Sequence, residues 1–263
     1  AHIHGGEITE GAYDDNIRHA ITKMSHLHFT SAEPYRRRVI QLGESPDRVF
    51  NVGALGVENI KHVPLLSKEE LEKSLNFQLG DKSLLVTFHP VTLENSTAEQ
   101  QCMNLLESLE SFPDYRIIFT FPNSDTDGRI IIDLIKRFVE RHRSESVAFV
   151  SLGKVRYLST LQYVSAVVGN SSSGIIEVPS FGIPTLNIGD RQKGRISSRS
   201  VVHCGTSKED ICLGIQTVLS DPVVRIAKQK RNPYDKKGTA DAICTILKTV
   251  SLDGLTSKSF YDL

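Results

Sequence analysis

The sequence predicts an α/β fold built on parallel sheets, and three observations carry that prediction. Short continuous apolar runs alternate with longer amphipathic ones. The short runs are rich in β-branched and aromatic residues, and each gives way to a polar or small-residue turn. Strands apolar on both faces and separated by helices belong to a parallel sheet covered on both sides.

Taken in order, residues 1–4 read as a strand and a polar loop follows. A helix over 14–25, the strand Leu27-His28-Phe29 and a helix over 34–41 come next. Residues 1–56 therefore read as the closing portion of one α/β unit. Ser67 followed by Glu70, ahead of Leu71 and Leu75, makes a capping box that opens the next helix. The run Leu84-Leu85-Val86-Thr87-Phe88 ends at His89-Pro90 and leads to a helix over 98–111. Arg116-Ile117-Ile118-Phe119-Thr120-Phe121 stops at Pro122-Asn123 before a helix over 128–143. Val147-Ala148-Phe149-Val150 precedes a helix over 154–164, and Ala166-Val167-Val168 precedes one over 174–181. Pro184-Thr185-Leu186-Asn187-Ile188 and Val201-Val202-His203 supply two more strands. The span 57–240 thus forms a complete Rossmann-like domain. A helix over 240–250 and a short tail, within 241–263, are expected to return to the first unit.

Composition excludes several roles. The 263 residues carry 31 Lys+Arg against 31 Asp+Glu, for a net charge of zero. That balance offers no field to attract a polyanion, so a nucleic-acid or membrane-surface partner is not expected. No apolar run approaches the roughly 20 residues that span a bilayer. The chain opens without Met, a basic n-region or an apolar h-region, so no signal peptide is visible. Cys102, Cys204, Cys212 and Cys244 show no C-x-x-C or zinc-type spacing, which fits reduced thiols and a cytoplasmic protein.

Ligands of open α/β sheets sit beyond the carboxyl ends of the strands, where this sequence is most polar. In Gly169-Asn170-Ser171-Ser172-Ser173-Gly174, small residues let a ligand approach the backbone, and hydroxyls and free N–H groups precede a helix. The loop is neither a Walker loop nor a dinucleotide fingerprint, and a plain Ser cap is the competing reading. Glu177 could accept hydrogen bonds from sugar hydroxyls or serve as a first-turn acid. Arg191, Lys193 and Arg195 make a basic cluster on the next strand-end loop, suited to a diphosphate or simply solvated. A second concentration holds His2, His4, Glu7, Asp14, Asp15, Arg18 and His19. Adjacent acids, an Arg and imidazoles form an acid/base constellation, with an N-cap role for one Asp and a His-x-His metal site as competitors. His26 and His28, beside an apolar strand, read as structural.

Five ordered motifs carry a resemblance: His2-Ile3-His4-Gly5-Gly6-Glu7; Tyr13-Asp14-Asp15-Asn16-Ile17-Arg18-His19; Phe88-His89-Pro90; the 169–174 loop with Glu177; and Gly189-Asp190-Arg191-Gln192-Lys193-Gly194-Arg195. Read together they resemble the hydrolysing UDP-N-acetylglucosamine 2-epimerases, above all the NeuC type of sialic acid biosynthesis. The resemblance implies a GT-B-like fold of two Rossmann-like domains flanking a cleft, the N-terminal one only partly present in this chain. It further implies a homo-oligomer without cofactor or metal. It assigns His89 and Asn123 to the nucleotide cleft, Ser171 and Ser172 to the diphosphate, Glu177 to the ribose hydroxyls and Arg191 to the nucleotide. Asp14, Asp15 and Arg18 match the acid pair and Arg facing the sugar. His4 stands where some relatives have Glu, which makes Glu7 a further acid/base candidate.

The implied reaction expels UDP by elimination across C1–C2 and hydrates the resulting 2-acetamidoglucal with inversion at C2, giving N-acetylmannosamine. The cleft carboxylates and His89 are candidates for the base, and the Ser-rich loop with Arg191 for receiving the diphosphate. Alternatives are the same reaction on UDP-N,N'-diacetylbacillosamine, a GT-B glycosyltransferase, and an inactive nucleotide-sugar-binding fragment. The last follows because the relatives carry most of an N-terminal domain before the position of Ala1, so this chain alone is expected to show little catalysis.

Overall fold

The computed structural model describes residues 1–10, 14–91, 97–122, 128–255 and 257–263. Its first part runs β1 (His2–Ile3), α1 (Asp14–Met24), β2 (His28–Thr30), α2 (Glu33–Gln41), β3 (Val49–Asn51) and α3 (Leu55–Ile60). The three strands pair in parallel in the order β1-β2-β3. Next come α4 (Lys68–Leu75), β4 (Ser83–Thr87), α5 (Ala98–Leu109), β5 (Arg116–Thr120), α6 (Gly128–Arg141), β6 (Ser146–Phe149), α7 (Gly153–Thr160), β7 (Ala166–Gly169), α8 (Ser172–Ile176), β8 (Thr185–Ile188) and β9 (Val201–Cys204). α9 (Lys208–Val218), α10 (Asp221–Ala227) and α11 (Thr239–Thr249) complete the chain. The second sheet has six parallel strands ordered β6-β5-β4-β7-β8-β9. The α/β class with parallel sheets is the one the apolar runs predict.

Side-chain alternation explains how the larger sheet is covered. Leu84 and Val86 of β4, Ile117 and Phe119 of β5, and Ala166 and Val168 of β7 face a core shared with Cys102 and Leu105 of α5, Ile135 of α6 and Ile215 of α9. The intervening Leu85, Ile118 and Val167 point to the opposite core, formed with Leu71 and Leu75 of α4 and Leu158 of α7. Both faces are apolar, so the runs are continuous rather than alternating. The capping box is present: Ser67 Oγ accepts from the Glu70 N–H at 3.3 Å, and Glu70 Oε2 accepts from the Ser67 N–H at 2.9 Å.

Two of the expected helices are shorter in the structure, and β3, α3, α9 and α10 are not among the expected elements. The helix expected over 174–181 is the five-residue α8 followed by a 3₁₀ turn, Val178–Phe181, because Pro179 has no N–H with which to continue an α-helix. The helix expected over 154–164 is α7, ending at Thr160. α11 lays Ile243 against Phe29 of β2 and the flanking Leu27 and Val52, and the Thr239 hydroxyl donates to the Val52 carbonyl at 2.7 Å. A short tail goes further. Lys258 Nζ donates to the carbonyls of Lys23 (2.8 Å) and Ser25 (2.6 Å) at the end of α1 and pairs with Glu44 at 2.6 Å, while the Tyr261 N–H bonds the Gly43 carbonyl at 2.9 Å.

Candidate active-site cleft

Strand order reverses between β4 and β7, the place where an open α/β sheet leaves a crevice at its carboxyl edge. The two strands approach closely there. A Cβ on Gly169 (φ +137°) would lie 1.9 Å from the Thr87 carbonyl oxygen, so the position accepts only glycine. Asn170, fully buried, then staples the strand ends together: its Oδ1 accepts from the His89 N–H at 2.7 Å and its Nδ2 donates to the His89 carbonyl at 2.8 Å. The Asn170 carbonyl receives Gln192 Nε2 at 2.9 Å and Arg191 Nη1 at 3.2 Å, which ties the strand-end loop after β8 to the same point.

A cavity of about 420 Å³ opens beside this staple, lined in part by His89, Lys154, Tyr157, Ser171, Ser173 and Glu177. Burial, with the Arg191 charge beside it, pushes the His89 imidazole down to about 4, so the ring is neutral near pH 7. Burial also raises the Glu177 carboxyl above its ordinary value, against the hydrogen bond from Ser173 and the charge of Lys154. Ser173 Oγ donates to Glu177 Oε2 at 2.5 Å and meets the Tyr157 hydroxyl at 2.6 Å. Ser171 is the N-cap residue of α8 by backbone geometry, yet its side chain does not cap, and Ser172 makes no side-chain hydrogen bond to a described residue. Both hydroxyls are thus available to a ligand, and the plain-cap reading of the loop does not hold.

The second cluster is assembled from the loop after β1 and the start of α1. Glu7 is 3% exposed and takes hydrogen bonds from two side chains on one oxygen, His4 Nδ1 at 2.8 Å and Ser31 Oγ at 2.8 Å. Arg195 Nη1 lies 3.3 Å from its other oxygen. Burial works to raise this carboxyl, but the His4 hydrogen bond, the Arg195 charge and the Ser31 hydroxyl together hold it below its ordinary value. Asp15 Oδ1 accepts from Arg18 Nη1 at 2.7 Å and from the Thr9 N–H at 2.7 Å. Arg18 Nη1 also donates to the Glu7 carbonyl at 3.1 Å. His4 adopts a left-handed backbone (φ 68°).

Glu7, His4, Asp15 and Arg18 therefore converge as one hydrogen-bonded group. Asp14 is exposed and stands apart from it. His2 and His4 do not form a shared metal site: His2 Nδ1 bonds Thr22 Oγ1 at 3.0 Å, and among the described residues no group of three or more His, Cys, Asp or Glu side chains could hold an ion. His28 is fully buried, with Nε2 2.8 Å from Glu44. Asn123 lies outside the described residues. Sequence reading of single positions does not reach Asn170, Gln192, Tyr157 and Ser173, whose roles arise from contacts between distant strand ends. Arg195 carried a signal, its place in the basic cluster, but its direction did not follow. It turns across to Glu7 and to Thr9 Oγ1 (3.4 Å).

No helix among the described residues is long and apolar enough to cross a membrane. Residues 1–248 match the family profile described as UDP-N-acetylglucosamine 2-epimerase. The chain is 40% identical over 263 residues to the GDP/UDP-N,N'-diacetylbacillosamine 2-epimerase (hydrolyzing) of Campylobacter jejuni, covering all of this chain and 68% of that protein. It is 40% identical over 264 residues to the polysialic acid biosynthesis protein P7 of Escherichia coli, covering all of this chain and 67% of that protein. Among solved structures, a UDP complex of S. aureus MnaA superposes with a TM-score of 0.75 at 13% identity, covering 99% of this chain and 72% of that one. The Neisseria meningitidis UDP-GlcNAc 2-epimerase bound to UDP-GlcNAc gives a TM-score of 0.74 at 17% identity, covering 94% and 69%. With its two parallel sheets, its switch-point cleft and a profile match over nearly its whole length, the chain belongs to the UDP-N-acetylglucosamine 2-epimerase family.

Proposed function

We propose that the protein is a hydrolysing 2-epimerase of UDP-linked acetamido sugars, working in the cytoplasm without a metal or cofactor. The observation that carries the reading is the bridging of two chemically different clusters by one loop. Arg191 bonds the Asn170 carbonyl beside the Ser171–Ser172 hydroxyls, while Arg195, four residues on, reaches the Glu7 carboxylate. A nucleotide diphosphate held at the first cluster would present its sugar to the second.

The proposed roles take the assignments the resemblance implies and are supported by this geometry. Ser171, Ser172 and Arg191 receive the diphosphate, whose negative charge grows as the C1–O bond breaks. Glu177, oriented by Ser173, accepts from the ribose hydroxyls. His89, neutral and buried, serves as a hydrogen-bonding group rather than as a cation. Asp15 and Arg18 face the sugar with Glu7 and His4, where a C2 proton must be removed and another delivered to the opposite face. Asn123 is retained in this proposal as a nucleotide-cleft residue and Asp14 as an acid at the rim.

For the sugar, the relatives favour UDP-N,N'-diacetylbacillosamine over UDP-N-acetylglucosamine. The name of the C. jejuni relative states the diacetylated substrate, and so does that of a Legionella pneumophila relative at 30% identity. The second reading rests on the N. meningitidis UDP-N-acetylglucosamine 2-epimerase, 31% identical over 219 residues. Incubating the full-length enzyme with each nucleotide sugar, with UDP release and the free sugar followed by NMR, tests both. The expected result is UDP plus a 2-epimeric free sugar formed faster from the diacetylated substrate. Faster turnover of UDP-N-acetylglucosamine reverses the order, and strict dependence of UDP release on an added acceptor overturns the hydrolytic reading in favour of glycosyl transfer.

A further inference from the structure

Glu7 is the most deeply buried acid of the sugar-facing cluster, and every partner it has is a donor. His4 and Ser31 share Oε1, Arg195 approaches Oε2, and Arg18 holds the residue's own carbonyl. A carboxylate so surrounded keeps its charge and is a poor proton acceptor. Its contact with His4 fixes something else. A carboxylate oxygen 2.8 Å from Nδ1 requires that nitrogen to carry the proton, and a neutral imidazole protonated at Nδ1 presents a lone pair at Nε2. His4 is 32% exposed in its side chain against 3% for Glu7, so the pair has a buried end and a solvent-facing end. Its Nε2 has no hydrogen-bond partner among the described residues. The left-handed backbone at His4 is costly for a residue with a Cβ, and such strain is retained where a side chain must be aimed.

We propose that His4 is the catalytic base of the elimination step, acting through Nε2, and that Glu7 and Arg195 are positioning residues that hold it in the Nδ1–H form. This rests on the 2-epimerase reading above. The Nε2 lone pair takes the C2 proton; the C2–H electron pair becomes the C1=C2 bond; the C1–O bond breaks, and its electrons leave with UDP. The proton on His4 is then released to solvent, matching the proton that hydrolysis of the sugar–diphosphate bond sets free. Because Arg195 shares a loop with Arg191, the base is held in place by the segment that also meets the nucleotide.

Two readouts test this. In histidine-¹⁵N-labelled protein with UDP bound, two-bond ¹H–¹⁵N correlations report each tautomer, and the His4 signal is the one lost in His4→Gln. A protonated Nδ1 and a bare Nε2 are expected, with the bias lost in Glu7→Gln, whose amide turns its oxygen to Arg195 and its NH₂ towards His4. An Nε2–H tautomer in the unsubstituted protein overturns the positioning role, whatever the variants do. In turnover, His4→Gln should lower kcat on the order of 10²–10⁴-fold with UDP affinity unchanged. Full kcat in that variant overturns the catalytic role. No turnover of either nucleotide sugar by the full-length, unsubstituted enzyme overturns the epimerase reading and the base with it, while the tautomer still decides what Glu7 and Arg195 do to His4.

Discussion

The Asn170 carboxamide has one acceptor and two donors, and it commits one of each to the backbone of a single residue, His89. Replacing it with Ala removes both of these buried bonds. The expected cost is about 2–4 kcal/mol, read as a lower denaturation midpoint at unchanged denaturant sensitivity. Ser171 and Ser172 are the opposite case, with hydroxyls unengaged by described residues. Their double replacement with Ala should leave stability nearly unchanged and weaken UDP binding by about 1–3 kcal/mol in calorimetry. Unaltered UDP affinity would remove the loop from the diphosphate site. These two kinds of residue differ in how openly the sequence declares them. A Ser-rich turn after an apolar run is visible because its composition departs from its surroundings. Asn170 sits in the same turn, but its role depends on β4, some eighty positions earlier, and no local pattern reports that pairing.

At the scale of elements, the apolar runs of the large sheet were legible because both faces of each strand are buried, so no polar residue interrupts them. The three-residue β3 and the six-residue α3 were not, since pieces so short carry too few positions to establish a period. Pro179, in plain view in the sequence, keeps α8 short and turns the chain into a 3₁₀ turn. α1 depends on a contact outside itself. Its last carbonyls are met by Lys258, which also neutralises the buried Glu44 together with Lys23. Lys258→Ala should therefore cost about 1–3 kcal/mol and speed amide hydrogen exchange in the last turn of α1 before other helices respond. Uniform exchange across the molecule would argue against this local clamp.

For the molecule as a whole, acid is the relevant stress. Burial depresses two imidazoles to about 4: His28, despite the opposing pull of Glu44, and His89. His28 Nδ1 is buried without an acceptor, so a proton placed there would have no partner. With folded values below the ordinary 6.5, the unfolded chain binds more protons between those limits, and unfolding is favoured as pH falls. Stability should be level above about pH 6.5, decline towards about pH 4, and gain no further loss from these two groups below that. Lowered carboxyls such as Glu7 and Glu44 extend the decline at still lower pH. Denaturant midpoints measured along a pH series check the shape, and His28→Gln should flatten the upper part of the slope.

The tail contact with α1 also bears on the order of events during synthesis. Lys258 meets carbonyls that precede it by 235 positions, and the hydroxyls of Tyr35 and Tyr234 meet across 199. Contacts that distant form late, because the entropy of closing so large a loop must be met before they return anything. The ribosome releases Lys258 only after everything it fastens has already emerged. α1 must therefore wait, loosely docked and open to chaperones or proteases, until the segment around Lys258 arrives to latch it.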